Sequence, residues 1–328
     1  MFLDSMPIHP RHSSPQAGGG GVKPIITATE LGRWYGEVIG LNDLNVEILP
    51  GITGLVGPNG AGKSTFMKLL VGEMRPSSGT LEVLGHTPFA NVELYRQLGF
   101  CPQQDALYDH MTGLQFVTHC MRLAGLNHSD AKSVATRALQ RVHLENAMNR
   151  SVSGYSKGMR QRTKLAQAFA HTPKLIIADE PLTGLDPVAR HQVLELYREL
   201  GDSGTSLIIS SHVLHEVQSL TPRIVLIHRG RLLAQGPVEE VRQLLSRHPR
   251  KVHLRAREPR ALARALLELP HVHSATLEEA TGDLHIETRD IRAFHSDLPA
   301  LASRTRSGIA SLESSDASLD AVFDYLVG

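Results

Sequence analysis

The chain has 328 residues, of which 41% are apolar and 20% charged, and a formal net charge of +1. That balance fits a globular protein with room for one large and one small domain, and it gives no argument for a nucleic-acid partner. Two cysteines, Cys101 and Cys120, exclude a disulfide framework and point to a reducing compartment. No apolar run reaches the roughly 18 residues of a membrane span, and no signal-peptide core follows the first residues.

Residues 1–24 carry prolines, serines and the run Gly18–Gly21 with little periodicity, and are expected to form a disordered tail. Ile25–Ala28 and Val46–Ile48 predict two antiparallel strands. Ile52–Val56 predicts a short buried strand, and Ser64–Leu70 the helix after it. Between them, Gly57-Pro58-Asn59-Gly60-Ala61-Gly62-Lys63-Ser64-Thr65 fits the phosphate-loop pattern G-x-x-x-x-G-K-[ST] in strand–loop–helix context. Glycines let backbone N–H groups turn inward onto phosphate oxygens, and the helix N-terminus adds partial positive charge. Lys63 is expected to reach the β- and γ-phosphates, and Ser64 to ligate Mg²⁺.

Helices are predicted over Gly113–Leu123 and Asp130–Val142. The short signature Tyr155-Ser156-Lys157-Gly158-Met159 opens a further helix, whose N-terminus from Ser156 suits an anion. Leu175–Ala178 is the apolar run of a central parallel strand, and it ends in Asp179-Glu180. Carboxylates at the C-terminal end of such a strand lie beside the crevice where α/β sheets bind ligands. Asp179 is therefore expected to hold Mg²⁺, and Glu180 to polarise an attacking water as general base. A second apolar strand, Leu207–Ile209, leads through Ser210 and Ser211 to His212. Arg223–Ile227 and Arg231–Ala234 predict a hairpin around Arg229-Gly230, and a helix over Val238–Leu245 leads into the linker Ser246–Arg250.

Residues 251–328 predict a second, smaller unit. Strands are expected at Val252–Ala256, Val272–Leu277, Leu284–Thr288 and Ile309–Glu313, with helices at Pro259–Leu269 and Ala293–Leu301. That order is βαββαβ, followed by a helix over Ser318–Val327. Among its histidines, alternation puts His271 and His273 on one strand face. Two metal ligands are possible on that face, but with no cysteine and no familiar ligand spacing, His253, His271, His273 and His285 are not expected to form a metal site.

The motifs, taken in order, resemble the ATP-binding subunit of an ABC (ATP-binding cassette) transporter over about residues 25–240. The resemblance implies an α/β P-loop NTPase cassette, with a mixed sheet core plus a helical signature subdomain, over 25–245, and a small α+β accessory domain over 251–328. It further implies that Tyr35 stacks on adenine, with Trp34 as the competing stacker. Gln103 would contact Mg²⁺ and the attacking water and couple the site to the membrane subunit, and His212 would sit near the γ-phosphate. Asp186, in Gly184-Leu-Asp186, would touch the opposite subunit.

In the family, the signature meets the γ-phosphate held by the other subunit, a role that falls here to Ser156, Lys157, Gly158 and Met159. Tyr155, Lys157 and Met159 depart from the common L-S-G-G-Q form, while Ser156 and Gly158 keep it. One phosphate loop and one signature imply a second copy or a similar cassette as partner, with ATP and Mg²⁺ bound between them. They also imply a separate polytopic membrane permease, with this subunit peripheral on the cytoplasmic face. The ending Ala317–Phe323 resembles exporter cassettes. The alternative is a soluble ABC ATPase serving a non-transport machine. The single motif set and the short interval from Gln103 to Ser156 differ from the two-cassette translation members and the coiled-coil repair members.

Overall fold

The computed structural model describes residues 22–105, 107–238, 240–241, 250–278 and 281–314. The anticipated tail up to residue 21, most of the linker, and the helix at 318–327 lie outside the described residues, as does most of the helix expected from Val238.

Three strands form an antiparallel sheet in the order β2-β1-β4: β1 (Ile26–Tyr35), β2 (Val38–Ile48) and β4 (Ser78–Val83). The expected pairing of Ile25–Ala28 with Val46–Ile48 is present, with Ile26 opposite Ile48 and Ala28 opposite Val46. Both strands run further, into a hairpin at Gly36.

The main sheet has six strands: β5 (Leu98–Cys101), β6 (Leu175–Ala178), β7 (Ser206–Ser211), β3 (Ile52–Val56), β8 (Arg223–His228) and β9 (Arg231–Pro237), in that spatial order. All neighbours are parallel except β8 and β9. Every residue of β6 and β7 is buried. Both faces of such a sheet are covered, so its strands read as continuous apolar runs. The register aligns the C-terminal ends: Cys101 lies opposite Ala178, Ala178 opposite Ile209, and Val56 opposite Ser211. The phosphate loop, the acidic pair and His212 therefore leave the sheet along one edge, where α/β sheets bind ligands.

Helix α1 (Lys63–Leu70) follows the phosphate loop, and α2 (Val92–Tyr95) precedes β5. Three helices form the signature subdomain: α3 (Gly113–Leu123), α4 (His128–Arg141) and α5 (Lys157–Phe169). A reciprocal cap starts α3, where Thr112 accepts from the Gln115 amide and the Gln115 side chain accepts from the Thr112 amide. Helix α6 (Pro187–Asp202) begins with Pro187 at its first position and Asp186 as its cap. The short α7 (Leu214–Gln218) follows β7.

Residues 250–314 form a four-stranded antiparallel sheet in the order β11-β12-β10-β13, with β10 (Arg250–Ala256), β11 (Val272–Leu277), β12 (Asp283–Thr288) and β13 (Ile309–Ser314). Two helices, α8 (Pro259–Leu267) and α9 (Ile291–Thr305), complete the expected βαββαβ order. Val252, Leu254, Leu284 and Ile286 from the strands pack with Leu262, Leu266, Phe294 and Leu298 from the helices in a core of their own.

The histidine expectation needs correcting here. His271 precedes β11, with its Nε2 3.7 Å from Asp297, and a register shift between Val272 and Ser274 breaks the alternation. The histidines that do meet are His253 and His285, paired across β10 and β12 with ring centroids 4.2 Å apart. No group of three potential metal ligands occurs among the described residues.

Candidate functional site

The phosphate loop turns through left-handed backbone at Gly62 (φ 104°), where a β-carbon would lie 2.6 Å from the Gly40 carbonyl. The loop is braced from outside, as the Gly230 amide donates to Ala61 O and the Gly230 carbonyl accepts from the Asn42 amide, both at 2.8 Å. The hairpin read around Arg229-Gly230 thus supports the loop. The Lys63 ammonium donates to the carbonyls of Gly57 (2.6 Å) and Pro58 (3.1 Å), and lies 3.5 Å from Glu180 Oε1. Lys63 and Glu180 are both about 6% exposed, so this ion pair is weakly screened.

Glu180 follows β6 in left-handed backbone (φ 48°), an uncommon state for a residue with a side chain. Its amide donates to Ser210 Oγ (2.7 Å), and the same hydroxyl donates to Asp179 Oδ1 (2.6 Å). Glu180 Oε2 accepts from Thr183 (3.1 Å) and meets His212 Nδ1 at 2.9 Å. Its other oxygen is buried, accepts no hydrogen bond and faces Lys63. Lys63, Asp179, Glu180 and His212 are thereby brought together as expected. Ser210 ties the Asp179 carboxylate and the Glu180 backbone amide to the neighbouring strand, a role that its place before His212 in the sequence does not signal.

Near the hairpin, the Tyr35 ring and Thr65 flank Gly40, since a β-carbon there would lie 2.9 Å from the Tyr35 ring and 3.1 Å from Thr65. Tyr35 therefore lies beside the phosphate loop, whereas the Trp34 ring lies against Gly32. The Arg33 guanidinium sits 5.1 Å from the Tyr35 ring centroid.

Gln103 is exposed, and its backbone carbonyl accepts from Lys164. Ser156 caps α5 by accepting from the Met159 amide (3.3 Å). Ser156 and Lys157 are exposed, whereas Met159 packs against the helical core. The Lys157 side chain lies over Gly184, whose φ of 75° suits glycine; a β-carbon there would overlap the lysine. The signature and the following loop thus touch within one chain. Asp186 Oδ1 accepts from the amides of Val188 (3.0 Å) and Ala189 (2.9 Å), which gives it a capping task.

Behind the site, Arg160 forms ion pairs with Asp105 and Asp109. Burial pushes the Cys101 thiol up to about 11, and lowers the pKa of the Lys164 ammonium. The donors offered by Ser64, Gln103 and Asp179 are hydroxyl, amide and carboxylate oxygens, which fit a small hard cation such as Mg²⁺.

A phosphate loop and an acidic strand end beside a histidine, on a mostly parallel sheet with an inserted helical subdomain, define the class: a P-loop ATPase of the cassette type. Residues 41–183 match the ABC transporter family. The daunorubicin/doxorubicin resistance ATP-binding protein DrrA of Streptomyces peucetius is 31% identical over 305 residues, 92% of each chain. An uncharacterized ABC transporter ATP-binding protein of Bacillus subtilis, YxlF, is 38% identical over 189 residues, which span 58% of this chain and 62% of that one. The solved structure of an ATP-binding subunit of an ABC transporter is 28% identical, with a TM-score of 0.61, covering 67% of this chain and 92% of that one. The chain belongs to the ABC transporter family, as an ATP-binding subunit. No helix among the described residues is long and apolar enough to cross a membrane.

Proposed function

We propose that two copies of this chain, or one copy and a similar cassette, close on two ATP molecules, and that hydrolysis drives export through a separate polytopic membrane permease. The observation that carries this reading is the convergence of Lys63, Asp179, Glu180 and His212 at adjacent strand ends, in a chain with one phosphate loop and one signature. Residues 57–65 cradle the phosphates, and Tyr35 stacks on adenine. The triphosphate competes with Glu180 for Lys63, so nucleotide entry frees the carboxylate to polarise the attacking water. His212, at 2.9 Å, orients that carboxylate and reaches toward the γ-phosphate.

Ser64, Gln103 and Asp179 would hold Mg²⁺, which would supply charge neutralisation at the phosphates. Ser156, Lys157, Gly158 and Met159 face the ATP of the other copy, chiefly through the N-terminus of α5. Asp186 lies in the loop that meets that copy.

In this reading the cassette occupies 25–245, the accessory unit 251–328 and a tail 1–24. The protein sits peripherally on the cytoplasmic face, held there by its permease. The alignment with a drug-resistance ATP-binding protein over 92% of each chain supports export. A net charge of +1 gives no support to a nucleic-acid partner.

The test is a pull-down of tagged Glu180→Gln protein with Mg-ATP from detergent-solubilised native membranes, read by mass spectrometry. A polytopic membrane protein in near-equal amount is expected. A purely soluble complex would move the protein to a non-transport machine.

A further inference from the structure

One stripe of α5 is polar although most of the helix is buried. From its N-terminal end, Arg160 pairs with Asp105 and Asp109 and donates to the Val152 carbonyl (2.9 Å). Gln161 donates to Cys101 Sγ (3.5 Å), and Gln167 to the Phe100 carbonyl. Between them, the Lys164 ammonium donates to three consecutive carbonyls, those of Pro102 (2.9 Å), Gln103 (3.2 Å) and Gln104 (3.1 Å). These carbonyls lie just past the end of β5, beyond the ladder with β6. An ammonium group has three donors, and all three are spent on the segment that carries Gln103. Lys164 is 5% exposed, so its ammonium is held out of water by these carbonyls, and removing it would take the shared donor from all three at once.

We propose that Lys164 is a positioning residue that fixes the Gln103 loop to the signature helix, so that the loop moves when α5 moves. This rests on the shared-site reading above. There, the N-terminal end of α5 grips the ATP of the other copy, while Gln103 serves the ATP of its own chain. Lys164 then links engagement at one site to the placement of Gln103 at the other. A lysine that only filled space would not produce such a link.

The experiment is a double-mutant cycle on the full-length protein, using Lys164→Met and Gln103→Ala, with steady-state ATPase activity and ATP affinity measured for each variant. Lys164→Met is expected to lower kcat roughly 10- to 100-fold, as misplacement of a catalytic group does, with ATP affinity of the isolated chain unchanged. Lys164→Arg, which keeps the donors, should recover part of that loss. In the Gln103→Ala background, Lys164→Met should cost nothing further. Losses that multiply, or an unchanged kcat in Lys164→Met, overturn the proposal. Should Lys164→Met fail to fold, Lys164→Gln, which keeps two donors, enters the same cycle with the same outcomes. Ser156→Arg separates the two readings. If it leaves hydrolysis intact, the shared site itself is wrong. If it abolishes hydrolysis while the cycle is additive, only the role of Lys164 is wrong.

Discussion

The six-stranded sheet of the cassette and the four-stranded sheet of residues 250–314 place their polar groups in different locations. In the first, β3, β6 and β7 are covered on both faces, so no side chain along a strand is free for chemistry. Function leaves at the strand ends, where Lys63, Asp179, Glu180 and His212 gather. In the second, one face packs on α8 and α9. The other carries His253 and Arg255 on β10 and Asp283 and His285 on β12, matched across the strands. Those polar groups pair with each other, as Arg255 does with Asp283 at 2.6 and 2.8 Å. A carboxylate at a strand end and one on a strand face thus have different roles, although each is an acid in a β-structure.

The largest expected effect tests that difference directly. Glu180→Gln should lower ATP turnover at least about 100-fold while ATP still binds, as loss of a general base does. Glu287→Gln, on the face of the second sheet, should leave turnover unchanged; an ATPase assay on both variants decides it.

A second change asks whether the two cores are separate. Phe294 is fully buried among residues of the second unit alone. Phe294→Ala should destabilise that unit by about 3–5 kcal/mol while ATPase activity persists, visible as an early, separate transition in calorimetry. A single transition with lost activity would join the two sheets into one cooperative body.

A smaller effect is expected at Thr112, where loss of the reciprocal cap in Thr112→Ala should cost about 1 kcal/mol, read from denaturant midpoints. The smallest concerns the thiols. Burial raises both Cys101 and Cys120 to about 11, leaving on the order of one thiolate in ten thousand at neutral pH. Alkylation of native protein should be very slow at neutral pH and speed up as pH rises toward 11. Rapid labelling at neutral pH would show that these environments open.

The elements read most closely from the sequence were those whose signal is local. Ile52–Val56 and Leu175–Ala178 match their strands because a doubly covered strand is a bare apolar run. The βαββαβ order of the second unit follows from alternation punctuated by glycine and proline. β4 and β5 carry no such local signal, one with only Leu81 and Val83 buried and the other four residues long. Strand pairing, not local pattern, makes them strands. In the site, motif spacing located Lys63, Asp179, Glu180 and His212, but Lys164 was invisible. A lysine within a helix ordinarily reads as a solvated face, and its three acceptors lie some sixty residues away. The available signal was weak: an α5 stripe of Arg160, Gln161, Lys164 and Gln167 with no acid on the same helix to pair with.

The Ser210 hydroxyl bridges the Asp179 carboxylate and the Glu180 amide, and it does so because Ala178 stands opposite Ile209. Insertions and deletions are therefore not equal along this stretch. One added residue inside β7 would bring a different side chain opposite Asp179 and carry His212 away from Glu180. The turn around Gly204, just before the strand, can lengthen without shifting that register. Length variation among relatives should collect in the turn and be purged from the strand, even where every substituted residue remains apolar.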